Sequence, residues 1–268
     1  MVLHTVSPRS TLSLAARDAS PPTLFRSRVA LKDALAGEVE TLGHLQTLLF
    51  ADRRHALLVV LQGRDASGKD GTIKKVFDGC NPLGCHVTGF GVPTPAELAH
   101  DFLWRVHVAV PPRGYIGIFN RSHYEDVLAV RVRGLVPPSV WRTRFEQINA
   151  FERMLSQNVV TILKFFLHIS RDEQRQRLIE RLENPEKNWK FREGDLEDRR
   201  RWNAYTTAYR DALRRCSTTW APWFVVPADS NTARNYLVTK TINRALRGLA
   251  LRFPRASREI RALRKRIR

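Results

Sequence analysis

The sequence predicts an α/β fold in which helices cover both faces of a parallel β-sheet. Short apolar runs that suit strands alternate with segments of helical periodicity, an order typical of parallel sheets with right-handed crossovers. A glycine-rich loop joins the first apolar run to a helical segment, which is the context that a phosphate-binding loop requires. The length of 268 residues suits one such domain, alone or with a lid.

The amino-terminal half supplies three of the expected strands. Leucine and valine recur at helical spacing from Val29 to Leu49, and the continuous apolar run from Ala56 to Leu61 predicts a strand buried on both faces. A helix over 70–76, a short strand over 86–90 and a buried strand over 114–120 follow in the sequence.

A helix start signal precedes the third of these strands. Thr94 suits the N-cap and Pro95 the first helical position, while Glu97 completes a capping box three residues after the cap. We expect one helix from Pro95 to about Val106.

The carboxyl-terminal half continues the alternation. Its expected elements are a helix over 137–158, a strand over 159–169, a helix capped by Ser170, a helix carrying Trp202, Tyr205 and Tyr209, a strand near 223–226, and a helix over 232–249 capped by Asp229 or Ser230.

Composition divides the chain into three parts. Residues 1–25 are rich in Ser, Pro and Arg and are expected to form a flexible leader. The phosphate-binding domain is expected over 26–250, with a basic lid at 184–201, where charge, Pro185 and Gly194 interrupt the apolar periodicity; a solvated surface loop is the alternative. The tail, 251–268, holds eight basic residues and one acidic residue.

The charge of the chain indicates an anionic partner. Lys and Arg number 45 against 26 Asp and Glu, a formal net charge of +19, which attracts polyanions but says little about the fold. The three cysteines lack zinc-site spacing and fit free thiols in a reducing cytoplasm. The apolar runs are far shorter than a membrane span, and the first residues lack the apolar segment of a secretory signal.

The loop GRDASGK, residues 63–69, matches the spacing G-x-x-x-x-G-K. Its glycines let successive N–H groups point at an anion, the following helix adds its positive dipole end, and Lys69 adds a mobile charge; an ordinary glycine turn is the alternative. The expected phosphate-binding residues here are Gly63, Arg64, Ala66, Ser67, Gly68, Lys69, Asp70, Gly71 and Thr72.

Two carboxylates make this loop unusual. Asp70 stands where nucleotide triphosphatases have the Ser or Thr that holds magnesium. Asp65 lies inside the loop, where a carboxylate repels phosphates unless a cation sits between them. We therefore expect Asp65 to hold Mg²⁺.

The end of the third predicted strand is dense in polar groups. Because ligands of parallel sheets bind at the carboxyl ends of strands, Asn120 and the following Arg121 are expected beside the loop. Arg121 would neutralise charge on a transferred phosphoryl group, and Glu125 or Asp126 would assist Asp65 with the metal; an ordinary ion pair is the alternative for Arg121 and Glu125. These parts together indicate phosphoryl transfer of the kinase type.

Three segments resemble the second family of polyphosphate kinases, the polyphosphate–nucleotide phosphotransferases. They are GRDASGKDGTIK at 63–74, IFNRSHYEDVLAVRV at 118–132, and KNWKF at 187–191 continuing through Asp195 to Trp202 and Tyr205, within a similarity over about 31–249. The resemblance implies a P-loop kinase fold like that of thymidylate kinase, a three-layer sandwich with a parallel sheet and a basic helical lid.

The resemblance also implies roles for single residues. Asp65 is then the magnesium and catalytic residue of the loop, Lys69 the phosphate cradle and Arg121 a contact to the reacting phosphates. The combination of Asn120 and Glu125 resembles the subgroup that accepts both nucleoside mono- and diphosphates. The lid residues bound to nucleotide or polyphosphate would be Lys187, Lys190, Arg199, Arg200 and Arg201.

One position departs from the family pattern. Gly91 stands where relatives carry a lysine that touches the polyphosphate chain. Lys74, Lys75 or Arg113 would then contact the polyphosphate chain in place of that lysine.

The sequence thus predicts a Mg²⁺-dependent enzyme that moves the terminal phosphoryl group of inorganic polyphosphate reversibly to AMP or ADP, and also to GMP or GDP if the base is not selected. The acceptor phosphate is ionised at pH 7, so no general base is needed and His123 is expected to be structural. A homo-oligomer is implied by the family. Two alternatives stay open: an ATP-dependent nucleoside or nucleotide kinase, and a basic nucleic-acid-binding protein with a non-catalytic loop.

Overall fold

The computed structural model describes residues 3–7, 12–263 and 267, and its centre is a five-stranded parallel sheet. The strands are Ala56–Gly63 (β1), Cys85–Gly89 (β2), Ile116–Asn120 (β3), Val160–His168 (β4) and Trp223–Pro227 (β5), in the spatial order β2-β3-β1-β4-β5. All four pairings between these strands are parallel, so the α/β sandwich predicted from the alternation is confirmed.

Helices connect the strands and cover both faces of the sheet. The α-helices are Arg28–Asp52 (α1), Lys69–Val76 (α2), Pro95–Leu98 (α3), Trp104–Val108 (α4), Ala129–Val132 (α5), Pro138–Gln157 (α6), Arg171–Glu183 (α7), Glu193–Arg200 (α8), Trp202–Arg215 (α9), Asn231–Arg247 (α10) and Arg258–Leu263 (α11). Short 3₁₀ helices lie at Ala16–Ala19, Pro82–Gly84, His123–Asp126 and Asn188–Lys190.

Strand β1 explains the longest apolar run of the chain. All eight of its residues are buried. Successive side chains of a strand point to opposite faces, so Leu57, Val59 and Leu61 join the core beneath α1 and α10, whereas Leu58 and Val60 join the core beneath α6 and α9. Each such side chain contributes about 1.5–3 kcal/mol by leaving water.

One predicted helix is divided in the structure. Thr94 forms the expected capping box with Glu97, but helix α3 ends at Leu98 and α4 begins only at Trp104. The Asp101 carboxylate accepts a hydrogen bond of 2.9 Å from the backbone N–H of Leu103. This local bond competes with helical hydrogen bonding, which is why the turn interrupts the helix.

The amino-terminal segment differs from the expected flexible leader over the residues that the structure describes. Val6 N–H donates to the carbonyl of Trp223 at 2.8 Å, and Thr5 forms an antiparallel bridge with Phe224. Leu3 and Leu14 are buried in the two cores. The segment therefore covers the outer edge of β5, an edge that parallel sheets protect, and composition alone concealed the few apolar residues that do this.

The remaining boundaries follow the sequence closely. Ser170 caps α7 and Ser230 caps α10, while Asp229 instead accepts from the backbone N–H of Ser170 at 2.8 Å. The segment predicted as a lid contains a 3₁₀ turn and α8. Leu251 at the start of the tail is partly buried against the core, and residues 252–261, 263 and 267 are exposed. Residues 264–266 and 268 lie outside the described part. Among the described residues, no helix combines the length and apolarity that crossing a membrane requires.

Candidate active site

The glycine loop lies at the carboxyl edge of the sheet, between β1 and α2. Leu61 of β1 pairs in register with Asn120 at the end of β3, and the backbone N–H of Arg121 donates to Leu61 O at 3.0 Å. This pairing places the segment after β3 directly beside the loop. The prediction that both follow the carboxyl ends of parallel strands is therefore confirmed. The two motifs found in the sequence therefore form one site.

The backbone of the loop is shaped to bind an anion. Ala66 has φ of 62° and Gly68 has φ of 95°, left-handed values that curl the loop backbone into the kind of concave nest in which N–H groups bind anions. A Cβ atom on Gly63 would lie 2.5 Å from Ser67 Oγ, and one on Gly68 would lie 2.2 Å from Arg234 Nη1. Both glycines of the motif are thus sterically required.

Lys69 is folded onto the loop that it follows. Its Nζ donates to the carbonyls of Gly63 at 2.8 Å and Arg64 at 3.2 Å, and the residue is only 8% exposed. Burial, reinforced by the charge of Arg121, lowers the pKa of Lys69 to about 8, although Asp65, Glu125 and Asp70 partly oppose this shift. The ammonium group is thus a buried cation whose hydrogen bonds go to neutral oxygens.

Asp65, Arg121 and Glu125 converge in front of the loop. Arg121 Nη2 donates to Asp65 Oδ1 at 2.6 Å, and Arg121 Nη1 lies 3.9 Å from Glu125 Oε2. Burial raises the pKa of Glu125, with the positive charges of Arg121 and Lys69 acting against it. Arg121 has φ of 63°, a strained value for a non-glycine residue of the kind that functional sites hold in place.

Asp70 connects the loop helix to β3 and to the lid. Its Oδ1 accepts from Asn120 Nδ2 at 2.9 Å, and its Oδ2 lies 3.6 Å from Lys190 Nζ. Burial alone would raise the pKa of Asp70, but the hydrogen bond from Asn120 and the charges of Lys190 and Lys69 hold it below its usual value. Thr72 Oγ1 donates to Gly68 O at 3.0 Å, so that hydroxyl is directed at the loop backbone.

Some of the other predicted cations of the lid and of α2 have partners of their own, and the rest are exposed. Lys187 pairs with Glu180 at 2.5 Å, and Lys75 pairs with Asp78 at 3.4 Å. Arg199 donates to Arg171 O at 2.7 Å. Lys74, Arg200 and Arg201 are exposed.

The structure does not bring Arg113 to the site. The backbone N–H of Gly114 donates to His55 O at 2.7 Å, so Arg113 lies beside the start of β1. The loop follows the other end of that strand, and an eight-residue strand is about 25 Å long. Parallel strands put their starts and ends at opposite edges, so the expectation that Arg113 binds phosphate is wrong.

Arg64, which the sequence predicts to bind phosphate, lies with its guanidinium carbon 3.8 Å from the centre of the Trp202 ring and donates to Thr206 Oγ1 at 2.6 Å. Several other side chains at the site were missed by the sequence reasoning. Asp198, Tyr205 and Tyr209 line the cavity together with Asp65, Arg121 and Glu125. On α7 and α10, three further residues bind the outer side of the loop: Gln174, Arg177 and Arg234. Only tertiary packing brings α7 and α10 to the loop, so no local spacing signals these three.

The oxygen groups of the site suit a hard divalent cation that is shared with a ligand. Asp65 and Glu125 face one another across Arg121, and the nearby Gln62 Oε1 is buried without a hydrogen-bond partner. Within the described part of the chain, no cluster of three or more His, Cys, Asp or Glu residues forms a complete metal site. Mg²⁺ commonly binds through one or two carboxylates and completes its shell with phosphate oxygens and water, so this donor set fits Mg²⁺.

Comparison with known proteins extends over nearly the whole chain. The model of the family "Polyphosphate kinase 2 (PPK2)" matches residues 27–253. The "AMP/ADP-polyphosphate phosphotransferase" of Meiothermus ruber is 55% identical over 95% of this chain and 96% of its own length. The "ADP-polyphosphate phosphotransferase" of Rhodopseudomonas palustris is 43% identical over 86% of this chain and 84% of its own.

A solved structure agrees with the fold as well. The crystal structure of polyphosphate kinase 2 from Arthrobacter aurescens TC1 superposes with a TM-score of 0.92, at 37% identity, and covers 99% of this chain and 98% of its own. The similarity therefore includes the sheet, both helical layers and the lid segment.

Proposed function

This chain belongs to the polyphosphate kinase 2 family, and from that membership and the geometry of its site we propose that it transfers the terminal phosphoryl group of inorganic polyphosphate to AMP or ADP, reversibly. The observation that carries the proposal is the convergence of Asp65, Arg121 and Lys69 on the amide nest of the loop. A chain of phosphates is the ligand that satisfies the nest and both cations at once.

The charged residues of the site have different roles in phosphoryl transfer. The loop amides and Lys69 hold the phosphates, and Arg121 neutralises negative charge that develops on the transferred phosphoryl oxygens. The acceptor is itself an ionised phosphate, so alignment replaces proton abstraction. His123 is buried and directed at Glu152 at 3.1 Å, which supports a structural role for it.

Magnesium is part of the proposal. Asp65 and Glu125 would hold it, and when bound it screens charge on the phosphate oxygens. Arg121 donates to one oxygen of Asp65, and an incoming phosphate would compete with that carboxylate for the guanidinium.

The lid supplies the nucleotide side of the site. Lys190 reaches Asp70 from the lid, and Trp189 beside it is 75% exposed. We propose that Lys190, with Asn120 at the end of β3, contacts the acceptor nucleotide, and that Lys187, Arg199, Arg200 and Arg201 extend the cationic surface for nucleotide or polyphosphate. Lys74 and Lys75 would make the polyphosphate contact that the family resemblance implies for a lysine at the position of Gly91.

Several parts of the expectation stay predictions. They are the use of GMP and GDP, the homo-oligomeric assembly, the reducing cytoplasm, and the division of the chain at residues 26 and 250.

Neither alternative function fits the site as well. An ATP-dependent kinase of this loop type uses a hydroxyl after the lysine to hold magnesium, whereas Asp70 stands there and pairs with Asn120 and Lys190. The net charge of +19 would favour nucleic-acid binding. That function does not account for the buried Lys69 or for the Asp65–Arg121 pair.

A coupled assay tests the proposal directly. Purified protein is given polyphosphate and Mg²⁺ with AMP, ADP, GMP or GDP as acceptor, and ATP with a panel of hydroxyl acceptors serves as the competing donor. We expect turnover with AMP and ADP, lost by at least about 10²-fold in Asp65→Asn and in Lys69→Ala because each removes a charge that aligns or stabilises the transferred group. Lys32→Ala, an exposed cation on α1, is the matched control and should retain full activity.

Two results would refute this assignment. Strong transfer from ATP to hydroxyl acceptors would favour the ordinary kinase. Near-normal turnover in folded Asp65→Asn or Lys69→Ala would show that the roles given to these residues are wrong.

A further inference from the structure

Three successive carbonyl groups of the phosphate-binding loop each accept a hydrogen bond from a side chain behind the loop. Gln174 Nε2 donates to Asp65 O at 3.0 Å, and Arg177 Nη1 donates to Ala66 O at 3.1 Å. Arg234 Nη1 donates to Ser67 O at 3.3 Å. We call Gln174, Arg177 and Arg234 the carbonyl clamp.

We propose that the carbonyl clamp positions the loop for phosphate and that Arg234 adds a buried positive charge whose counter-ion is the bound polyphosphate; this inference rests on the proposed function. Each peptide unit carries its N–H opposite its C=O. Fixing the carbonyls of Asp65 and Ser67 outward therefore turns the N–H groups of Ala66 and Gly68 inward, towards the anion, while the N–H of Ser67 closes a turn with Arg64 O at 3.1 Å. The clamp residues touch the loop backbone, and they are positioning residues.

Arg177 ties the loop to the end of the sheet. Its Nη2 donates to Ala228 O at 2.8 Å and to Asp229 O at 3.1 Å, and its Nε donates to Glu173 Oε1 at 2.8 Å. One guanidinium thus connects the loop, α7 and the turn between β5 and α10. This arrangement fixes the loop in place before any ligand arrives. The loop therefore loses less conformational entropy when the ligand binds.

Arg234 differs from Arg177 because its hydrogen-bond partners are all neutral. The residue is only 2% exposed. Beside Ser67 O, its guanidinium donates to Asn231 Oδ1 at 2.7 Å and to Asn235 Oδ1 at 3.0 Å. In the described part of the chain, no carboxylate forms an ion pair with it, and the charge that acts on it is that of Arg177.

A buried guanidinium group without an anionic partner destabilises the folded protein. Charges removed from water cost several kcal/mol unless an opposite charge compensates them. Burial, with the nearby charge of Arg177 added, accordingly lowers the pKa of Arg234 to about 9. Arg234 lies against the loop so closely that a Cβ on Gly68 would overlap its Nη1 at 2.2 Å. The anion that the loop receives is therefore the missing counter-charge.

Binding of tripolyphosphate to the full chain tests the inference without relying on turnover. The Kd is measured by calorimetry for the wild type, Arg234→Gln and Arg234→Lys, with Arg244→Gln as control. Arg244 is an exposed arginine on the same helix, about 15 Å further along its axis. We expect Arg234→Gln to raise the Kd at least tenfold, Arg234→Lys to stay within about threefold of the wild type because it keeps the charge, and Arg244→Gln to bind as the wild type does.

A second variant covers the case in which Arg234→Gln does not fold. Gln174→Met deletes the bond to Asp65 O, and also the bond of 3.0 Å that Gln174 Oε1 accepts from Arg199 Nη1, without altering charge, and is expected to raise the Kd about threefold or more. The inference is overturned if folded Arg234→Gln binds tripolyphosphate within twofold of the wild type, or, should that variant not fold, if Gln174→Met does so. A purely structural role would lower the melting temperature while leaving the Kd of the folded protein unchanged.

The same measurements separate this inference from the proposed function. If the wild type binds tripolyphosphate but transfers no phosphoryl group to AMP or ADP, the function fails while the clamp is still tested by the variants. If the wild type shows turnover and the variants bind normally, the function stands and the clamp fails.

Discussion

Two buried lysines lie near the segment that follows β3, and their charges are compensated in different ways. Lys69, in the loop, donates to two backbone carbonyls. Lys164, on β4, donates to Glu152 Oε2 at 2.5 Å, to Tyr124 OH at 2.7 Å and to Cys216 O at 2.7 Å. Lys164 thus has an anionic partner, whereas no carboxylate among the described residues forms an ion pair with Lys69.

The ammonium group of Lys164 uses its full hydrogen-bonding capacity. All three ammonium protons are used, and Glu152 also accepts from Tyr124 OH at 2.9 Å and lies 3.1 Å from His123 Nε2. Burial alone would raise the pKa of Glu152, but Lys164 and His123 keep it below its usual value. We call Lys164, Glu152, His123 and Tyr124 the buried network.

The difference shows how the charged side chains of the site can change hydrogen-bond partners while the backbone that carries them stays fixed. His123 and Tyr124 belong to the same 3₁₀ helix as Glu125, and Arg121 lies two residues before that helix. The buried network holds this helix in place. The charged side chains of the site are hydrogen-bonded to neutral groups or joined in partly exposed pairs. An incoming phosphate chain can therefore replace these partners with little loss of free energy.

The largest expected effect comes from breaking the buried network. Lys164→Met leaves Glu152 as an uncompensated buried carboxylate, so we expect the free energy of unfolding to fall by about 3–5 kcal/mol. Urea denaturation measures this loss. The double variant Lys164→Met/Glu152→Gln removes both charges and should recover part of the stability; if the single variant loses less than about 1 kcal/mol, the network is not the frame described above.

An intermediate effect is expected from the pH dependence of Lys69. Its pKa is about 8 in the folded protein against 10.5 for an ordinary lysine, so between these values the unfolded chain binds more protons and stability rises with pH. The free energy of unfolding of the wild type, relative to Lys69→Met, should therefore increase by up to about 3 kcal/mol across that window.

Denaturation of both proteins from pH 7.5 to 10.5 measures this difference. Saturating tripolyphosphate should flatten it, because the anion keeps Lys69 protonated. A difference that does not change with pH in the unligated protein would contradict the burial of an uncompensated ammonium group.

The smallest effect on stability is expected at the partly exposed pair between Lys190 and Asp70. The side chains are 35% and 63% exposed, and such pairs contribute about 0–1 kcal/mol. Lys190→Met should change the free energy of unfolding by less than about 1 kcal/mol and yet raise the KM for the acceptor nucleotide severalfold. Lys187→Met, which breaks the exposed pair between Lys187 and Glu180, is the comparison. A loss of stability at Lys190 as large as that at Lys164 would remove the contrast between the two regions.

The sequence by itself determined the parts that depend on local chemistry. The run from Ala56 to Leu61 predicted a strand buried on both faces, and the spacing of Gly63, Gly68 and Lys69 predicted an anion-binding loop. The placement of Asn120 and Arg121 beside that loop also followed, since the ends of parallel strands share one edge. These features need only neighbouring residues or a topological rule.

Tertiary structure alone decided the parts that depend on contacts between distant segments. Gln174 and Arg234 reach the loop from 109 and 167 residues away in the chain, the amino-terminal segment covers β5, and Arg113 lies at the wrong edge for phosphate. The physical reason is that a hydrogen bond or a buried charge acts over a few ångströms in space, whatever the separation along the chain. Patterns of neighbouring residues register only contacts that are also close in sequence.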